Sequence, residues 1–289
     1  MNQEKLVSLT KDELDSFVSI LTTRTGIVPR ASHLDGIKSY IEKQIEAKHF
    51  GVQGYKNALA TDETLFNELV NESTVNETYF FREEKQFVLL RNRIFPMWRA
   101  LNSFSEIKIW SAACSYGEEA YSLLLLARSC CIPALVTASD INSDVLEHCK
   151  KGVYPASSMR MVDGTAFKEL LNPYKREDGM IEFDESIKNC VKTQKINLST
   201  IDSPLNDSLL PKNQNIIFLR NVFIYFSKEL RARILRTIAE KCLADGGVLF
   251  VSMSEIAQLD SEVIPNSLEK IAEGNVFYFH KKTGGKSNG

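Results

Sequence analysis

Short apolar segments alternate with helical patterns along the chain from about residue 103 onward. Four strand candidates are "IKIWS" (107–111), "ALVTASD" (134–140), "NIIFLRNVFIYF" (215–226) and "VLFVSMS" (248–254). Helical patterns separate them, such as "EEAYSLLLLARSC" after the first strand and "SKELRARILRTIAEKCLA" before the last. Strands that alternate with helices are typical of a mostly parallel sheet with helices on both faces. The pattern therefore predicts an α/β domain over residues 103–283.

The first 74 residues contain no strand candidate and show helical periodicity instead. In "KDELDSFVSILTTRTG", apolar residues recur at helical spacing, and Gly26 is placed to end the helix. We therefore predict a small all-α domain over residues 1–74. A connector and a linking helix follow over residues 75–102, and we expect Pro96 to kink or shorten that helix.

The connector begins with "VNETYFFRE", in which three consecutive aromatic residues precede Arg82. Connecting segments are usually polar, because the backbone of a buried loop is difficult to satisfy with hydrogen bonds. An apolar connector has to pack against another part of the protein, and the arginine at its end then needs a partner.

Two segments of the α/β region depart from the alternation. Residues at about 153–195 are irregular and are predicted to form an insertion with a small hairpin around "REDGMIEF". Residues 284–289, "GGKSNG", are predicted to form a disordered tail.

The composition excludes several function classes. The 289 residues carry a formal net charge of -2, so the chain lacks the basic excess of typical nucleic-acid binders. Its longest apolar run, at 123–127, is far shorter than the roughly 20 residues that cross a bilayer, and its first residues lack a signal peptide's apolar core. The six cysteines and four histidines show no paired zinc-type spacing. We expect a cytoplasmic monomer with reduced thiols, without metal, membrane insertion or a nucleic-acid partner.

The ends of the first two strands carry residues suited to a ligand. In doubly wound sheets, ligands bind beyond the carboxyl ends of the strands, and the first strand here continues into "SAACSYGEE". Its small side chains let the backbone approach a ligand, although a tight strand-to-helix turn at Gly117 explains them equally well. The second strand ends in Asp140, which is suited to bind ribose hydroxyls or to cap the next helix. Both pairs of explanations remain open at this point.

Two glutamates at the start of the first helix of this region favour one class of nucleoside. Glu118 and Glu119 would repel a pyrophosphate at the helix start, whereas they would attract a cationic ligand. S-Adenosylmethionine carries a sulfonium and an ammonium group and no phosphate, so the charge pattern favours it over NAD. The carboxyl end, "GGVLFVSMS" followed by "NVFYFHK", is also typical of methyltransferase sheets.

Taken together, the motifs resemble a known family over residues from about 14 to 281. The segments that carry the resemblance are "VNETYFFRE", "IWSAACSYGEEAYS", "ASDINSDVLEHCKKGVY", "INL", "IIFLRNVFIYF" and "DGGVLFVSMSE". In this order they are similar to the bacterial chemotaxis-receptor methyltransferases, the CheR family. The resemblance implies a Rossmann-like, class I S-adenosylmethionine-dependent methyltransferase domain behind a helical domain that docks the receptor. It also implies methylation of glutamate side chains on the cytoplasmic helices of chemoreceptors for sensory adaptation, with S-adenosylhomocysteine as the second product.

The same resemblance implies a role for ten positions of this chain. Three connector residues would line the cofactor pocket, namely Asn76, Thr78 and Arg82. Glu119 and Asp140 would bind the methionine-amine side and the ribose. Asn197 and Leu198 would flank the adenine, and Leu219 and Arg220 would lie along the strand end beside it. Arg82 and Tyr225 would face the methyl group as the catalytic pair, with Arg82 holding the acceptor carboxylate.

A glutamate acceptor simplifies the chemistry that such a site has to perform. The unperturbed pKa of a glutamate is about 4.3, so the acceptor is already an anion at neutral pH and needs no general base. The enzyme has to align a carboxylate oxygen with the methyl–sulfur axis and exclude water.

Each of these residues also has an ordinary structural explanation. Arg82 after aromatic residues is suited to a surface ion pair with Glu83 or Glu84, and Tyr225 to core packing. Asn76 and Thr78 are common turn residues. The joint occurrence of the motifs favours the functional assignment over these explanations.

The chain departs from the family pattern in its second helix, at two strand ends and around the predicted hairpin. That helix carries Lys38, Lys43 and Lys48 among glutamates, where the family usually has several arginines. Leu219 stands where the family often has cysteine, and "VSMSE" replaces a glycine-histidine strand end. The segment around "KREDGMIEF" lacks the glycine-rich loop of members that tether to a receptor tail, so we predict no such tethering.

Two rival functions belong to other classes. One is a non-catalytic module that binds S-adenosylmethionine and signals through its helical domain. The other is a nicotinamide-dependent oxidoreductase, against which the paired glutamates and the single glycine argue. Methylation of amino groups or nucleic acid is disfavoured, because the third strand leads into "RNVFIYF" rather than an asparagine-proline-proline motif.

Overall fold

The computed structural model describes residues 7–102 and 105–283. The α-helices within these residues are α1 (Lys11–Thr25), α2 (Ala31–Ala47), α3 (Val52–Thr61), α4 (Glu63–Ser73), α5 (Glu84–Leu89), α6 (Phe95–Asn102), α7 (Glu118–Ser129), α8 (Ser143–Lys151), α9 (Lys168–Leu171), α10 (Glu185–Lys188) and α11 (Lys228–Thr237). The strands are β1 (Ile107–Ala112), β2 (Ala134–Asp140), β3 (Val153–Tyr154), β4 (Ile181–Glu182), β5 (Val191–Lys195), β6 (Gln214–Leu219), β7 (Leu243–Phe250), β8 (Leu268–Glu273) and β9 (Val276–Lys281). None of the described helices is long and apolar enough to cross a membrane.

Seven strands form one mixed sheet in the order β5-β2-β1-β6-β7-β9-β8. The five strands from β5 to β7 pair in parallel, and β9 pairs antiparallel with β7 and β8. This arrangement confirms the predicted α/β class and the hairpin-like carboxyl end. The order reverses beside β1, so the carboxyl ends of β1, β2 and β6 meet at a topological switch point where α/β folds bind ligands.

Helices α1 to α4 bury their own apolar core, which contains Phe17, Ile41, Tyr55 and Leu69. Helix α1 begins at a capping box between Thr10 and Glu13, which satisfies two free backbone N–H groups at its start. It ends at Gly26, whose backbone is left-handed with φ of 70°. The four helices correspond to the segment predicted as an all-α domain.

The connector packs by two of its three aromatic residues. Phe80 and Phe81 are buried, and Phe81 stacks on Phe167 of the insertion with ring centroids 4.7 Å apart. The main chain is also held, because Ser158 accepts a hydrogen bond from the Phe80 N–H at 2.9 Å. Tyr79 differs from its neighbours, since it is only partly buried and lies between the guanidinium groups of Arg82 and Arg160.

The linking helix is interrupted near Pro96, where the sequence predicted a kink or a shortening. A single π-helical turn, Leu90–Ile94, separates α5 from α6, and Pro96 is the second residue of α6. Because proline has no N–H, it leaves one carbonyl of the preceding turn without its helical donor. The wider π turn accommodates this change in hydrogen bonding.

The insertion is shorter than the sequence indicates. Strand β5 (191–195) pairs in parallel with β2, so it belongs to the main sheet, and the irregular segment ends before it. The predicted hairpin is limited to a tight turn in which Arg176 N–H donates to the Met180 carbonyl at 2.8 Å. The main partner of β4 is β3, with which it forms a separate two-stranded sheet. The predicted tail, 284–289, lies outside the described residues.

The helical domain contacts the carboxyl end of the sheet directly. Val28 N–H donates a hydrogen bond to the Tyr225 carbonyl at 3.1 Å. A Cβ on Gly26 would lie 2.6 Å from Leu230 of α11, so only a glycine fits this approach. On the other side, the Asn142 side chain donates to the Asn71 carbonyl and the Thr74 hydroxyl. Both ends of the helical domain are therefore fixed around the ligand-binding edge of the sheet.

Candidate active site

A cleft opens at the carboxyl ends of β1, β2 and β6, beneath the helical domain. It encloses about 930 Å³ of empty space, including its open mouth. The segments that line it are the ends of α1, α4 and β2, the connector, the β1–α7 loop and the loops after β5 and β6. The cleft therefore lies between the two domains, at the edge selected by the strand-end rule.

The β1–α7 loop is held in an unusual backbone conformation. Ala113, Ser115 and Gly117 have φ values of 60°, 52° and 100°. Left-handed backbone is uncommon for residues other than glycine, and such positions cluster at functional sites. Within the residues that the structure describes, the buried Ser115 hydroxyl makes no hydrogen bond. The loop lines the cleft with exposed backbone and one unsatisfied hydroxyl, which suits a polar ligand.

Asp140 ends β2 at the base of this loop and is only 8% exposed. Its Oδ2 accepts a hydrogen bond from Ser115 N–H at 2.9 Å, and its Oδ1 accepts one from Asn142 N–H at 3.0 Å. Burial raises the pKa of the Asp140 carboxyl, and these two N–H donors oppose the rise. Asn142, not Asp140, caps α8. The capping explanation for Asp140 is therefore wrong, and its carboxylate lines the cleft with lone pairs to spare.

Glu119 is anchored by a buried arginine. Its Oε1 accepts a hydrogen bond from the Ser111 hydroxyl at 2.6 Å, and its Oε2 accepts one from Arg220 Nε at 2.7 Å. The Arg220 side chain also donates from Nη1 to the Arg82 carbonyl and the Gln86 side chain. Its guanidinium lies 5.1 Å from the Phe218 ring centroid. The Arg220 guanidinium therefore connects Glu119 to the connector, and Arg220 also lines the cleft.

The structure corrects the prediction that Leu219 belongs to the cofactor site. Leu219 is fully buried in the core cluster beneath the cleft and does not line it. Leu219 is the last residue of β6 and its side chain packs into that core, whereas Arg220 follows the strand and lines the cleft. Asn197 and Leu198 do line the cleft. Asn197 is held in place because its Nδ2 donates to the Arg24 carbonyl of α1 at 2.9 Å.

The connector supplies three polar side chains to the cleft, namely Asn76, Thr78 and Arg82. Arg82 donates from Nη1 to the Glu77 carbonyl at 2.7 Å. Among the residues that the structure describes, Arg82 makes no ion pair, so the alternative explanation by a pair with Glu83 or Glu84 does not hold. Glu83 instead accepts hydrogen bonds from the Ser252 hydroxyl and Met253 N–H, beyond β7. The Arg82 guanidinium therefore lines the cleft without an acidic partner.

Tyr225 lies across the cleft mouth, on a short turn after β6. It is partly buried, and burial raises the pKa of its phenol, with the nearby charges of Arg30 and Arg82 opposing that rise. The phenol consequently stays protonated at neutral pH and is suited to donate a hydrogen bond. Arg30 of the α1–α2 loop lies 5.4 Å above the Tyr225 ring.

Two buried glutamates outside the cleft lining hold this site together: Glu255, which sequence reasoning did not assign, and Glu118, which it paired with Glu119 as a charge for the ligand. Glu255, fully buried after β7, accepts hydrogen bonds from the N–H groups of Asn221 and Ile224 and so fixes the turn that bears Tyr225. Glu118 accepts one from the Ser158 hydroxyl at 2.9 Å, while its Oε2 is buried without a partner. Burial raises the pKa of both carboxyls. The "VSMSE" strand end carried a signal for Glu255, because an acidic residue after an apolar strand needs a partner.

The cleft suits a cationic nucleoside. Asp140 offers a carboxylate at the end of β2, where a ribose would lie, and Glu119 places a second carboxylate at the start of α7. A pyrophosphate would meet these anions, whereas a sulfonium and an ammonium group would be attracted. The unsatisfied Ser115 hydroxyl provides one further hydrogen-bonding group.

Comparisons with known proteins agree with this geometry. Residues 76–271 match the family model described as "CheR methyltransferase, SAM binding domain". The chain is 31% identical to a chemotaxis protein methyltransferase of Borreliella burgdorferi over 245 residues, which cover 80% of this chain and 84% of that protein. It is 28% identical to chemotaxis protein methyltransferase 2 of Vibrio cholerae, covering 98% of this chain and 99% of the relative. A solved rRNA methyltransferase of Streptomyces viridochromogenes, aviRa, aligns at 14% identity and a TM-score of 0.40, covering 73% and 88% of the two chains.

The family match and the site agree on one chemical class. The matched region begins at Asn76 of the connector and includes every strand of the seven-stranded sheet up to β8. The cofactor class inferred from the charges of the cleft is the one that the family model describes. The chain therefore belongs to the CheR methyltransferase family, and its α/β domain is an S-adenosylmethionine-binding methyltransferase domain.

Proposed function

We propose that this protein transfers a methyl group from S-adenosylmethionine to glutamate carboxylates of chemoreceptors, giving methyl esters for sensory adaptation. The observation that carries the proposal is the Arg82 guanidinium, which lines the cleft near Tyr225 without an acidic partner among the described residues. A cation in this position is suited to a carboxylate acceptor. The names of the relatives, chemotaxis protein methyltransferases, support the same class of substrate.

Arg82 holds the acceptor carboxylate in this proposal. One of its nitrogens is fixed by the Glu77 carbonyl, which leaves the rest of the guanidinium available to the acceptor. The acceptor arrives ionised, since the pKa of a glutamate is about 4.3. S-Adenosylmethionine supplies an electrophilic methyl group on a sulfonium. The protein then has to align the carboxylate and exclude water, without a general base.

Tyr225 orients the attacking oxygen in this proposal. The raised pKa of its phenol keeps the hydroxyl protonated, so it acts as a hydrogen-bond donor and not as a base. Glu255 fixes the turn beneath it, and Val28 fixes its carbonyl. These two residues are positioning residues that limit the freedom of the phenol.

The cofactor is held by the remaining polar residues of the cleft. Asp140 binds the ribose hydroxyls, and Glu119, already fixed by Arg220, accepts hydrogen bonds from the methionine ammonium. Asn197 and Leu198 flank the adenine. Asn76 and Thr78 close the pocket from the connector, on the side of Arg82. On this proposal the protein acts as a cytoplasmic monomer on the cytoplasmic helices of receptors.

A methylation assay tests the proposal. Tritiated S-adenosylmethionine is incubated with membranes that bear the host's chemoreceptors, and base-labile label is counted for wild type, Arg82→Ala and Tyr225→Phe. We expect label with wild type that falls at least about 100-fold in Arg82→Ala, since the acceptor carboxylate then loses the group that aligns it with the methyl group. Wild type that binds S-adenosylhomocysteine and yields no label would favour the non-catalytic module. A titration with NAD, for which we expect no binding, tests the oxidoreductase alternative.

A further inference from the structure

Asn221 lines the cleft at the start of the turn that bears Tyr225. It directly follows Arg220, is partly buried, and has a φ of 57° in the left-handed region. Left-handed residues other than glycine are uncommon and cluster at functional sites. The backbone is held in this conformation because Asn221 N–H donates a hydrogen bond to the Glu255 carboxylate at 2.8 Å. Asn221 is therefore fixed at a point between the cofactor side and the acceptor side of the cleft.

A chain of hydrogen bonds fixes the orientation of the Asn221 side chain. The Ser252 hydroxyl donates its single hydrogen to the Glu83 carboxylate, so it can only accept from its other neighbours. Those neighbours are Asn221 Nδ2 at 3.1 Å and the Ser254 hydroxyl at 2.9 Å. The amide therefore has to present its nitrogen to Ser252, because an inverted amide would bring two acceptor oxygens together. Oδ1 of Asn221 consequently faces away from Ser252.

The Oδ1 atom of Asn221 is available to a ligand. The side chain and the backbone N–H of Asn221 donate to Ser252 and Glu255, and no group in the described part of the chain donates to Oδ1. Oδ1 is also not one of the buried polar atoms that lack a partner, so it is accessible from the cleft. An amide oxygen can accept two hydrogen bonds. Its full accepting capacity is therefore free.

The charges around the proposed methyl position favour such an acceptor. Arg82 and Tyr225 lie close together, since the charge of Arg82 acts on the Tyr225 phenol. Both present donors, which suit the acceptor carboxylate but repel the sulfonium and its polarised methyl C–H groups. An oxygen that accepts C–H···O contacts offsets this repulsion. A neutral amide oxygen suits the position better than a carboxylate, which would pair with Arg82 and compete with the acceptor.

We infer that Asn221 is a cofactor-binding residue whose Oδ1 contacts the methyl group of the sulfonium, and that Ser252 and Glu83 are positioning residues that direct it there. The inference rests on the proposed function, which places the methyl group beside Arg82 and Tyr225. It also links the connector to the cofactor, because Glu83 directly follows Arg82 in the chain. Loss of the contact should weaken the binding of cationic ligands and leave that of the neutral product unchanged.

The binding of two cofactor analogues tests this inference without a receptor. S-Adenosylhomocysteine is neutral at sulfur, whereas sinefungin carries an ammonium group where the methyl group of S-adenosylmethionine lies. Calorimetry gives the Kd of each for wild type and for Asn221→Gly, in which glycine adopts the left-handed backbone without strain. We expect Asn221→Gly to raise the Kd of sinefungin about tenfold, because a hydrogen bond to a charged group is lost. The Kd of S-adenosylhomocysteine should change by less than about twofold.

Asn213→Gly is the matched control for this change. Asn213 is exposed, has a φ of 55° and does not line the cleft, so the same substitution is made in the same backbone conformation. Both Kd values should stay within about twofold of wild type. Ser252→Ala keeps Asn221 and removes the oxygen that orients its amide. For this variant we expect the Kd of sinefungin to rise about threefold, with normal binding of S-adenosylhomocysteine.

Each outcome decides for or against the role of Asn221. Equal losses for the two ligands in Asn221→Gly would overturn it, because Asn221 would then only support the shape of the cleft, and unchanged Kd values for both would overturn it as well. If Asn221→Gly does not fold, Ser252→Ala decides, and a ratio of the two Kd values equal to that of wild type overturns the inference.

The inference and the proposed function fail in different ways. A selective loss of sinefungin binding in Asn221→Gly, without base-labile label from wild type on receptor membranes, would support the role of Asn221 and contradict the proposed methylation. Label from wild type together with equal losses for the two ligands would support the methylation and overturn the role of Asn221.

Discussion

The Nη1 atom of Arg220 donates a 2.7 Å hydrogen bond to the main-chain carbonyl of Arg82. The same side chain binds Glu119 through Nε, so one buried guanidinium connects the residue proposed for the methionine ammonium to the residue proposed for the acceptor. The two substrates would approach from opposite sides of this connection. Arg220 thereby sets the distance between the residues proposed to hold the cofactor and the acceptor.

Replacing Arg220 should therefore affect stability and binding together. Arg220→Lys keeps the charge but loses the fork that reaches Glu119, Gln86 and the Arg82 carbonyl. Breaking a buried ion pair costs about 3–5 kcal/mol, and we expect a loss at the lower end of that range in urea unfolding. Affinity for S-adenosylhomocysteine, measured by calorimetry, should fall at least about tenfold, because 1.4 kcal/mol corresponds to a factor of ten.

The control for this change is Arg236→Lys, at an exposed position, which should alter neither quantity measurably. If Arg220→Lys unfolded like wild type and bound S-adenosylhomocysteine normally, the connection that Arg220 makes between Glu119 and the connector would not determine stability or binding.

The three aromatic residues of the connector should differ in their contribution to stability. Phe80 is completely buried and packs edge-on against Tyr154, with ring centroids 5.1 Å apart. Phe80→Ala should lower the free energy of unfolding by about 3–5 kcal/mol, whereas Tyr79→Ala, at a partly buried ring, should lower it by less than about 1 kcal/mol. Chemical denaturation of both variants checks this ranking, and similar losses for the two would contradict it.

Gly117 should tolerate no side chain. Its φ is 100°, and a Cβ would lie 2.3 Å from the Sγ of Cys149 and 2.9 Å from its Cβ. Gly117→Ala combines backbone strain of about 1–3 kcal/mol with this overlap. Since the residue ends the β1–α7 loop, we expect weaker binding of S-adenosylhomocysteine as well as a lower melting temperature.

Gly164→Ala separates the two effects, because φ at Gly164 is 85° while no atom lies within 4 Å of its Cβ position. This control should show the backbone strain alone, with normal ligand binding. Equal destabilisation of the two variants would mean that the contact with Cys149 is relieved by a small shift.

Glu118 should make stability depend on pH. Burial raises the pKa of its carboxyl above the ordinary value of 4.5. The protonated form is therefore favoured in the folded protein, and its contribution to stability is fully present below pH 4.5 and is lost as the pH rises through the folded-state pKa. Glu118→Gln cannot ionise, so its stability relative to wild type should increase over the same rise in pH and then level off.

Urea unfolding at a series of pH values from about 4 to 8 measures this difference. Glu269→Gln, at an exposed carboxyl, is the control and should show no such trend. A difference between Glu118→Gln and wild type that does not change with pH would mean that the folded and unfolded pKa values of Glu118 coincide.

Much of the site could be predicted, because several of its residues lie where parallel strands end. Asp140 and Glu119 lie at the carboxyl ends or the following turns of parallel strands, and such positions converge whatever the rest of the fold does. Arg82 was also predictable, because an apolar connector that ends in arginine has to bring the cation close to the domain on which it packs.

Other features depend on contacts that leave no local pattern. Leu219 and Arg220 are adjacent in the sequence, but β6 ends between them, and only the packing decides that Leu219 enters the core while Arg220 lines the cleft. Arg30 precedes an ordinary amphipathic helix, and nothing near it in the sequence indicates Tyr225 as its partner. Phe80 and Tyr79 likewise have similar chemistry, so their different burial follows from the packing of the insertion.

The bond from Asn197 to the Arg24 carbonyl joins residues that are 173 positions apart in the chain. During synthesis the helical domain leaves the ribosome long before its partners around the cleft exist, and domains generally fold in the order in which they emerge. The cleft can be completed only after the turn that bears Tyr225 has been translated. Before that point S-adenosylmethionine cannot stabilise the nascent chain, and the stability of the helical domain depends on its own core alone.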